Sequence, residues 1–381
     1  MFRRAGRIGL IGVLLAFHGL AREPAAVAGL SAEDERIIAA LPVIPPGLNQ
    51  AHGLEVKRSK AILATYTFKV QTPDLTASEW LVIFPHPVTL PSQKILAAAG
   101  RPKCETIADL SPLRQPLLQA RIPVESPREA DQVALAVKVR AELFSRRLIS
   151  RQGLGPVPNP ARLAEPERKL FLRRSRDFDY DNPSFQTWVT AKGLRRQAPE
   201  GEVVFARRVF QTLAGSFGYE YLGMQDRSAS HVCEVGKSDC GGLSVLFATV
   251  LRSQGVPART LAGRWASSAK PGEKVGAIEY FQEHVKAEFF ANGVGWVPVD
   301  LSSAVVHDKS PEKLASFGND KGDFLTLHFD SDLSCDTGHF GVRGMNLSQR
   351  ASYWASGTGT VRNALIKEQW EVEVLPGTSY R

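Results

Sequence analysis

The stretch Ser238-Asp239-Cys240-Gly241-Gly242-Leu243-Ser244-Val245-Leu246-Phe247 decides the fold of this chain, because it places a cysteine where a helix is expected to begin. After it, apolar residues recur at the three- and four-residue intervals of one buried helical face, namely Leu243, Leu246, Phe247, Val250 and Leu251. Ser238 or Asp239 can cap the helix, and Gly255 followed by Pro257 ends it. A thiol in the first turn feels the positive end of the helix dipole, which favours the nucleophilic thiolate.

Two glycines directly follow this cysteine. Because Gly241 and Gly242 have no side chain, they are expected to keep the space around the sulfur open for the backbone of a substrate. The same window also fits a buried structural thiol behind a tight turn. The window alone does not choose between a nucleophile and a structural cysteine.

A β-hairpin is predicted further along the chain. Two apolar runs, 283–290 and 296–300, are joined by a short loop that contains Asn292 and Gly293. Folding the strands back around this loop places His284 roughly opposite Asp300, and the alternation of strand residues puts both on one face. A carboxylate there can hold one imidazole nitrogen and direct the other toward Cys240. The residues therefore predict a nucleophile, a base and an orienting acid in that order.

These segments resemble the transglutaminase-like core, which belongs to the papain-like cysteine hydrolases and acyltransferases. The similar segments are 239–247, 255–259, 284–288 and 295–300, and the resemblance covers roughly residues 185–330. It implies that Cys240 is the nucleophile, His284 the general base and Asp300 the residue that orients the histidine. The family often has H-A-W-x-E, whereas Val285 and Lys286 follow the histidine here. This lysine bears on substrate preference more than on the triad.

The predicted fold class is α+β, with a papain-like transglutaminase core preceded by an N-terminal β-sandwich-like domain. In the core, the helix that carries the cysteine packs on an antiparallel sheet. Short apolar or alternating runs with proline-marked turns, at 61–70, 80–85 and 132–141, predict the sandwich. The 381 residues are too many for one ordinary core. The predicted boundaries are 1–28 for a signal peptide, 31–160 for the N-terminal domain, 161–184 for a linker and 185–381 for the catalytic domain.

The first residues have the pattern of a targeting segment. Arg3, Arg4 and Arg7 precede an apolar run over 8–20, and Ala26-Val27-Ala28 supplies a cleavage site. The pattern predicts a signal peptide and an exported protein, either periplasmic or extracellular, with retention of the segment as an anchor as the alternative. No other segment reaches the roughly 18 apolar residues that a membrane-spanning helix needs, so no stable span is expected.

The cysteines are candidates both for disulfide bonds and for metal ligation. The chain has four, at Cys104, Cys233, Cys240 and Cys335. Export permits disulfides, and we expect Cys233 to pair with Cys335, because both lie in the catalytic half and Cys240 must stay free to react. The spacing of His231 with Cys233 and Cys240 does not fit a zinc site, and the acidic residues of 320–336 lack the spacing of an EF-hand. No metal and no cofactor are therefore expected.

The charge of the chain invites a nucleic-acid interpretation. The net charge is +8 and the isoelectric point is about 9.3, with basic clusters in 138–151 and 168–176. These clusters match no nucleic-acid-binding motif and lack the interleaved aromatic residues of a stacking platform. No nucleic-acid partner is expected. Solvated surface, or attraction to an anionic envelope or substrate, accounts better for the charge.

The predicted reaction is acyl transfer on a peptide or protein amide through a thioester on Cys240. Release by water makes the enzyme a peptidase or amidase, and release by an acceptor amine makes it a crosslinking transferase. Hydrolysis is favoured because nothing in the sequence identifies an acceptor-amine site. Two alternatives stay open: a catalytically silent transglutaminase-like envelope scaffold or interaction protein with a closed cleft, and a binder of anionic polymers. The sequence does not indicate an oligomeric state.

Overall fold

The computed structural model of the chain describes residues 30–42, 51–126, 130–151, 159–345 and 347–376. The predicted signal peptide at 1–28 lies outside the described residues. The helices are α1 Ala32–Ala39, α2 Glu165–Leu170, α3 Pro183–Ala191, α4 Glu202–Ser216, α5 Ala229–Val235, α6 Cys240–Ser253 and α7 Leu301–His307. The strands are β1 His52–Gln71, β2 Leu75–Pro85, β3 Gln93–Arg101, β4 Glu105–Ala108, β5 Pro116–Pro123, β6 Gln132–Ser150, β7 Gly218–Tyr219, β8 Lys237–Ser238, β9 Ala258–Trp265, β10 Lys274–Val275, β11 Ile278–Glu279, β12 Glu283–Ala291, β13 Gly295–Val299, β14 Asn319–Asp320, β15 Phe324–Phe329, β16 Leu333–Asp336, β17 Val342–Met345, β18 Ser352–Gly359 and β19 Leu365–Val374.

The N-terminal strands form a β-sandwich. One sheet has the order β14-β6-β1-β19, with β3 also paired to β6, and the other has the order β18-β2-β5-β4. Alternate residues of β1, such as Tyr66, Phe68 and Val70, are buried and pack with Trp80 and other residues of the second sheet. Each such side chain contributes about 1.5–3 kcal/mol by leaving water. The mixed architecture, with mostly antiparallel sheets, confirms the predicted fold class.

The last two strands of the chain lie in this sandwich. β18 pairs with β2, and β19 pairs with β1, where Tyr66 faces Trp370. The indole of Trp370 is 2% exposed and belongs to the core of the sandwich. The prediction that all of 185–381 belongs to the catalytic domain is therefore corrected for these strands, because β19 is hydrogen-bonded to β1 and buries Trp370 in the core of the sandwich. The other domain boundaries stay predictions.

The segment predicted as a linker, 161–184, is packed against the rest of the chain. It contains α2 and the buried side chains of Phe171, Leu172 and Phe178. The ring of Phe171 meets that of Trp296 edge to face, with ring centroids 4.9 Å apart. This contact fixes the segment against the core hairpin, so the segment is not an exposed connector.

The cysteine-bearing helix lies on a four-stranded antiparallel sheet of order β13-β12-β9-β15. Every residue of α6 after Cys240 is buried, and the apolar face predicted from the sequence is fully enclosed. Phe247 of this helix packs edge to face on Phe210 of α4, with ring centroids 6.0 Å apart. The predicted helix is thus confirmed, and together with this sheet it forms a rigid platform beneath the cysteine.

Candidate active site

The start of α6 is fixed by its N-cap. Asp239 is 2% exposed, and its Oδ1 accepts a 3.0 Å hydrogen bond from the backbone N–H of Gly242. The same carboxylate binds Arg227, whose Nη2 lies 2.5 Å from Oδ2. Because the cap holds the first turn, Cys240 stands at the first helical position, half-buried and facing a cavity.

The two glycines after the cysteine make room for side chains of the protein itself. A Cβ on Gly241 would lie 2.6 Å from Cδ1 of Leu347 and 3.0 Å from Cδ of Arg227. A Cβ on Gly242 would lie 2.1 Å from Oγ of Ser238. The expectation of open space is therefore wrong for Gly242, whose Cβ position is occupied by Ser238. Gly241 lies against Leu347 and Arg227 and lines the cavity together with Cys240.

The predicted hairpin is present, with a register slightly different from the expected one. β12 and β13 pair with Ala287 facing Val299, and the connection contains Gly293 with φ of 86°. Continuing this register sets Asp300 opposite Lys286. Lys286 lies two residues after His284 and therefore on the same face of β12. The shared face is confirmed. The carboxylate is diagonal to His284 rather than directly opposite.

This diagonal placement lets the histidine bind the carboxylate. Nε2 of His284 lies 2.8 Å from Oδ2 of Asp300, which is 7% exposed. Asp300 also caps α7, accepting a 2.9 Å bond from the backbone N–H of Ser303 and a 3.1 Å bond from Oγ of Ser302. Although burial opposes ionisation, His284 and then Lys286 hold the pKa of Asp300 below its ordinary value. The carboxylate is therefore an ionised acceptor for the ring.

Cys240 lies beside this pair. The backbone N–H of Val285 is close enough to the thiol to stabilise its anion, and the Asp300 carboxylate is close enough to oppose that anion. One turn further along α6, Oγ of Ser244 donates a 3.2 Å bond to the Val285 carbonyl. The first turns of α6 therefore run along β12 next to His284. All three residues predicted from the sequence lie in one neighbourhood.

The electrostatic surroundings of the thiol differ from the expectation. Burial raises the pKa of Cys240, and the nearby carboxylates of Asp239 and Asp300 raise it further. The N–H of Val285 and the guanidinium of Arg227 act in the opposite direction but are outweighed. The expected preference of the helix terminus for a thiolate is thus opposed by burial and by these two carboxylates. The thiol of the free protein keeps its proton at neutral pH, so a base must remove it.

A cavity of about 460 Å³ opens onto Cys240. Its wall includes three tyrosines, at Tyr219, Tyr221 and Tyr280, and apolar side chains from the β10–β11 segment. The lining also includes two ion pairs. Arg227 pairs with Asp239, and Nε of Arg350 lies 2.6 Å from Oε1 of Glu283. The cavity is large enough for an extended peptide segment or a side chain with its amide.

Two residues that the sequence gave no reason to select support the histidine. The ring of His284 stacks on Trp265, with centroids 4.7 Å apart and planes at 23°. The side-chain amide of Gln349 donates 2.7 Å bonds to the backbone carbonyls of His284 and Gly263. Gln349 lies 65 residues from His284, and no spacing or motif links the two.

The predicted disulfide is absent. All four cysteines lie in the described part of the chain, and each is a free thiol. Cys233 packs in the helical core and donates to the Ser230 carbonyl at 3.1 Å, whereas Cys335 is buried elsewhere beside the sulfur of Met345 at 3.3 Å. The pairing of Cys233 with Cys335 is therefore wrong, because each sulfur lies in a different hydrophobic cluster.

Neither metal ligation nor membrane crossing is evident in the described ranges. Among these residues, no three His, Cys, Asp or Glu side chains are grouped so that they could hold a metal ion. The helices of the same ranges are all too short or too polar to cross a bilayer. The site described above consists of side chains and backbone groups of this chain.

Residues 190–301 match the family model of the transglutaminase-like superfamily, and this match includes Cys240, His284 and Asp300. These residues form a transglutaminase-like core. An uncharacterized protein of Haemophilus influenzae is 28% identical over 137 residues, which are 29% of this chain and 37% of that protein. The chain thus matches little more than a third of this relative's length.

Two solved structures resemble the chain over a longer range. One is a candidate cysteine protease from Cytophaga hutchinsonii, with a TM-score of 0.53 and 14% identity, covering 86% of this chain and 94% of the other. The other is the periplasmic domain of TgpA from Pseudomonas aeruginosa, with a TM-score of 0.34 and 14% identity, covering 68% and 93%. The first of these shows that the fold of most of this chain also occurs in another protein.

Proposed function

We propose that the protein is a cysteine-dependent enzyme that transfers the acyl group of a peptide or protein amide through a thioester on Cys240. The observation that carries the proposal is the hydrogen-bonded pair of His284 and Asp300 beside a thiol that faces a cavity. A nucleophile with an oriented base is the arrangement that acyl transfer requires. The transglutaminase-like fold is consistent with this chemistry.

In the acylation step, His284 acts as the base. Its Nε2 is held by Asp300, so Nδ1 is the nitrogen available for the proton of Cys240. The thiolate attacks the amide carbonyl, and the backbone N–H of Cys240, which a helix leaves unused in its first turn, donates to the oxyanion. The imidazolium then protonates the leaving nitrogen, the C–N bond breaks and a thioester remains.

Hydrolysis completes the cycle. His284 removes a proton from water, the resulting hydroxide attacks the thioester carbonyl, and the C–S bond breaks. The departing thiolate takes back the proton, and a carboxylic acid leaves. The amide is thereby converted to an acid and an amine, and the enzyme returns to its thiol form.

Transamidation is the second candidate reaction, because one observation favours it. A second cavity of about 290 Å³ shares Tyr280 with the first. Its lining includes four carboxylates but a single lysine, namely Glu273, Glu279, Glu368, Glu371 and Lys270. An excess of negative charge attracts a cationic amine, which could replace water as the acceptor. Hydrolysis remains the first candidate.

The test is turnover of a peptide library, read by mass spectrometry, with and without monodansylcadaverine as an acceptor amine. We expect amide cleavage by the natural chain, none by Cys240→Ala, and normal cleavage by Cys104→Ala, which removes a thiol outside the cavity. Incorporation of the fluorescent amine would assign transamidation. Cleavage that persists in Cys240→Ala would refute the proposal. A folded natural chain that neither cleaves any peptide nor incorporates the amine would favour the scaffold alternative.

We also propose that the protein is exported. The support is the basic, then apolar, then A-x-A pattern of residues 1–28. Expression of the full chain in a Gram-negative host, followed by fractionation and N-terminal sequencing, tests this. A mature N-terminus shortly after Ala28 in the periplasmic fraction is expected, and an intact Met1 in the cytoplasmic fraction would contradict it.

A further inference from the structure

Lys286 has no role in the proposed reaction, although it lies two residues after His284 on the same face of β12. Its side chain is only 7% exposed. Burying an ammonium group is costly unless opposite charges or other partners meet it. The partners that Lys286 has therefore indicate what its charge does at this position.

The ammonium group is surrounded by two carboxylates and two aromatic rings. Nζ lies 3.6 Å from Oδ1 of Asp320 and 4.0 Å from Oδ1 of Asp323. It also lies 4.5 Å from the ring centroid of Trp265 and 4.8 Å from that of Phe324. A cation this close to two ring faces attracts both of them. Lys286 thus binds the two rings that surround the histidine.

Both rings also contact His284. The imidazole stacks on Trp265 at 4.7 Å and meets Phe324 nearly at right angles, with centroids 6.1 Å apart. A cation–aromatic contact of this kind is worth about 0.5–2 kcal/mol. Through Trp265 and Phe324, Lys286 restricts the positions that the imidazole can take.

The same ammonium acts on Asp300 through its charge. The hairpin register sets Asp300 opposite Lys286, and the lysine is one of the groups that lower the pKa of this carboxyl group. A positive charge here keeps the acceptor of His284 ionised and disfavours uptake of a further proton by the pair.

Lys286 is itself anchored to the sandwich. Oδ2 of Asp320 accepts a 3.2 Å bond from Nη2 of Arg146, which lies on β6 and is fully buried. Nη1 of Arg146 donates a 2.7 Å bond to Glu288, two residues further along β12. A series of alternating charges therefore connects Arg146 of β6 to Asp320 and Asp320 to Lys286. Lys286 in turn reaches His284 through the rings of Trp265 and Phe324.

We propose that Lys286 is a positioning residue for the His284–Asp300 pair, and that Asp320 and Arg146 tie this position to the β-sandwich. The proposal rests on the proposed function, because it concerns the histidine that serves Cys240 there. Other charged groups also face the pair. Glu283 on β12 is engaged by Arg264 of β9 and by Arg350. The thiol of Cys240 lies on α6, and Asp323 lies before β15.

The experiment measures the rate at which iodoacetamide alkylates Cys240 between pH 4.5 and 9, by peptide mass spectrometry, so that no turnover is needed. In Lys286→Met the midpoint of the acidic limb of the profile should move to higher pH by about 0.5–1 unit, because the pair takes up a proton more easily without the nearby cation. Lys286→Arg keeps the charge and should retain the natural profile. Asp323→Asn removes a 37% exposed carboxylate and should move the midpoint slightly toward lower pH.

The outcomes separate the two proposals. A Lys286→Met profile that superimposes on the natural one, with a native fold by circular dichroism, would overturn the positioning role. If Lys286→Met does not fold, equal shifts of the same sign in Lys286→Arg and Asp323→Asn would overturn it. A natural profile that is unchanged by His284→Ala would instead refute the proposed function, since alkylation would then not depend on the histidine.

Discussion

The side-chain amide of Gln349 spans two strands and holds the backbone carbonyl of His284 at 2.7 Å. Its second bond, also 2.7 Å, goes to the carbonyl of Gly263, which faces His284 in the β9–β12 pairing. Gln349 is held in turn by Arg264, whose Nη2 donates a 2.8 Å bond to its carbonyl. A residue from the loop before β18 therefore fixes the backbone of the proposed base.

Replacing Gln349 tests this support. Gln349→Ala leaves two carbonyl groups without their donor, and we expect the free energy of unfolding to fall by about 1–3 kcal/mol. His284 should also be held less firmly, so the rate of amide cleavage should fall several-fold. Urea unfolding and cleavage assays measure both, with Gln369→Ala on the exposed side of β19 as the control. A variant as stable and as active as the natural chain would show that the two bonds are dispensable.

The charge of Asp239 should restrain the thiol beside it. Asp239→Asn keeps an oxygen that can cap α6 but removes a negative charge that raises the pKa of Cys240. We therefore expect the pKa of the thiol to fall and iodoacetamide labelling of Cys240 at pH 7 to become about three to ten times faster. Asp239→Ala should show a similar increase and lose about 1 kcal/mol of stability through the missing cap. Slower labelling in Asp239→Asn would contradict this account.

The local parts of the site were the parts that the sequence could predict. The cap at Asp239 and the helix after Cys240 depend on neighbours within a few residues, and the hairpin brings Asp300 to His284 across a sixteen-residue separation. Alternation fixes which residues share a face. It does not fix the register, because the register depends on the exact turn, and here Asp300 lies opposite Lys286, two residues from His284 along β12.

The contacts between distant segments could not be predicted in the same way. Nothing in the sequence shows that Tyr66 pairs with Trp370, and nothing in it connects Gln349 to His284. The cysteine pair failed for the same reason, since a shared half of the chain does not bring two sulfurs within bonding distance. The raised pKa of Cys240 depends on burial by the folded chain and then on the nearby carboxylate of Asp239.

A buried ion cluster should make Asp330 one of the positions most sensitive to substitution. Its carboxylate lies 2.7 Å from Nη2 of Arg252 and 2.9 Å from Nη1 of Arg173, and all three side chains are at most 3% exposed. Asp330→Asn leaves two buried guanidinium groups without their counter-charge, so the free energy of unfolding should fall by about 3–5 kcal/mol. Urea unfolding at pH 7 measures this, with Asp323→Asn, which removes a half-buried carboxylate, as the matched control.

The pH dependence of this difference follows from the direction of the shift. Burial opposes ionisation of Asp330, but Arg252 and Arg173 hold its pKa below the ordinary value. Its stabilising contribution is therefore complete above the unfolded pKa of about 3.9 and is lost as the pH falls through the lower folded value. The natural chain and Asp330→Asn should differ by a constant amount from pH 5 to 8 and converge below about pH 4. Convergence already at pH 6 would contradict the assignment.

His328 should destabilise the fold over a higher range of pH. The side chain is 2% exposed, its Nδ1 lies 3.4 Å from the Phe329 carbonyl, and its Nε2 has no hydrogen-bond partner within the described ranges. Burial lowers the pKa of His328 to about 4. The unfolded chain therefore binds this proton below about pH 6.5, whereas the folded chain does not do so until about pH 4.

Stability should accordingly fall by about 3 kcal/mol as the pH is lowered from 6.5 to 4, from this one residue. In His328→Leu, which cannot titrate, the urea midpoint should change much less over that interval, even if the variant is less stable at pH 7. His231→Gln, at an exposed position, should keep the slope of the natural chain. The other titratable groups are the same in the natural chain and in His328→Leu, so their contributions cancel in the comparison of the two. Parallel curves for the natural chain and His328→Leu between pH 6.5 and 4.5 would mean that the buried imidazole is not what makes the fold sensitive to mild acid.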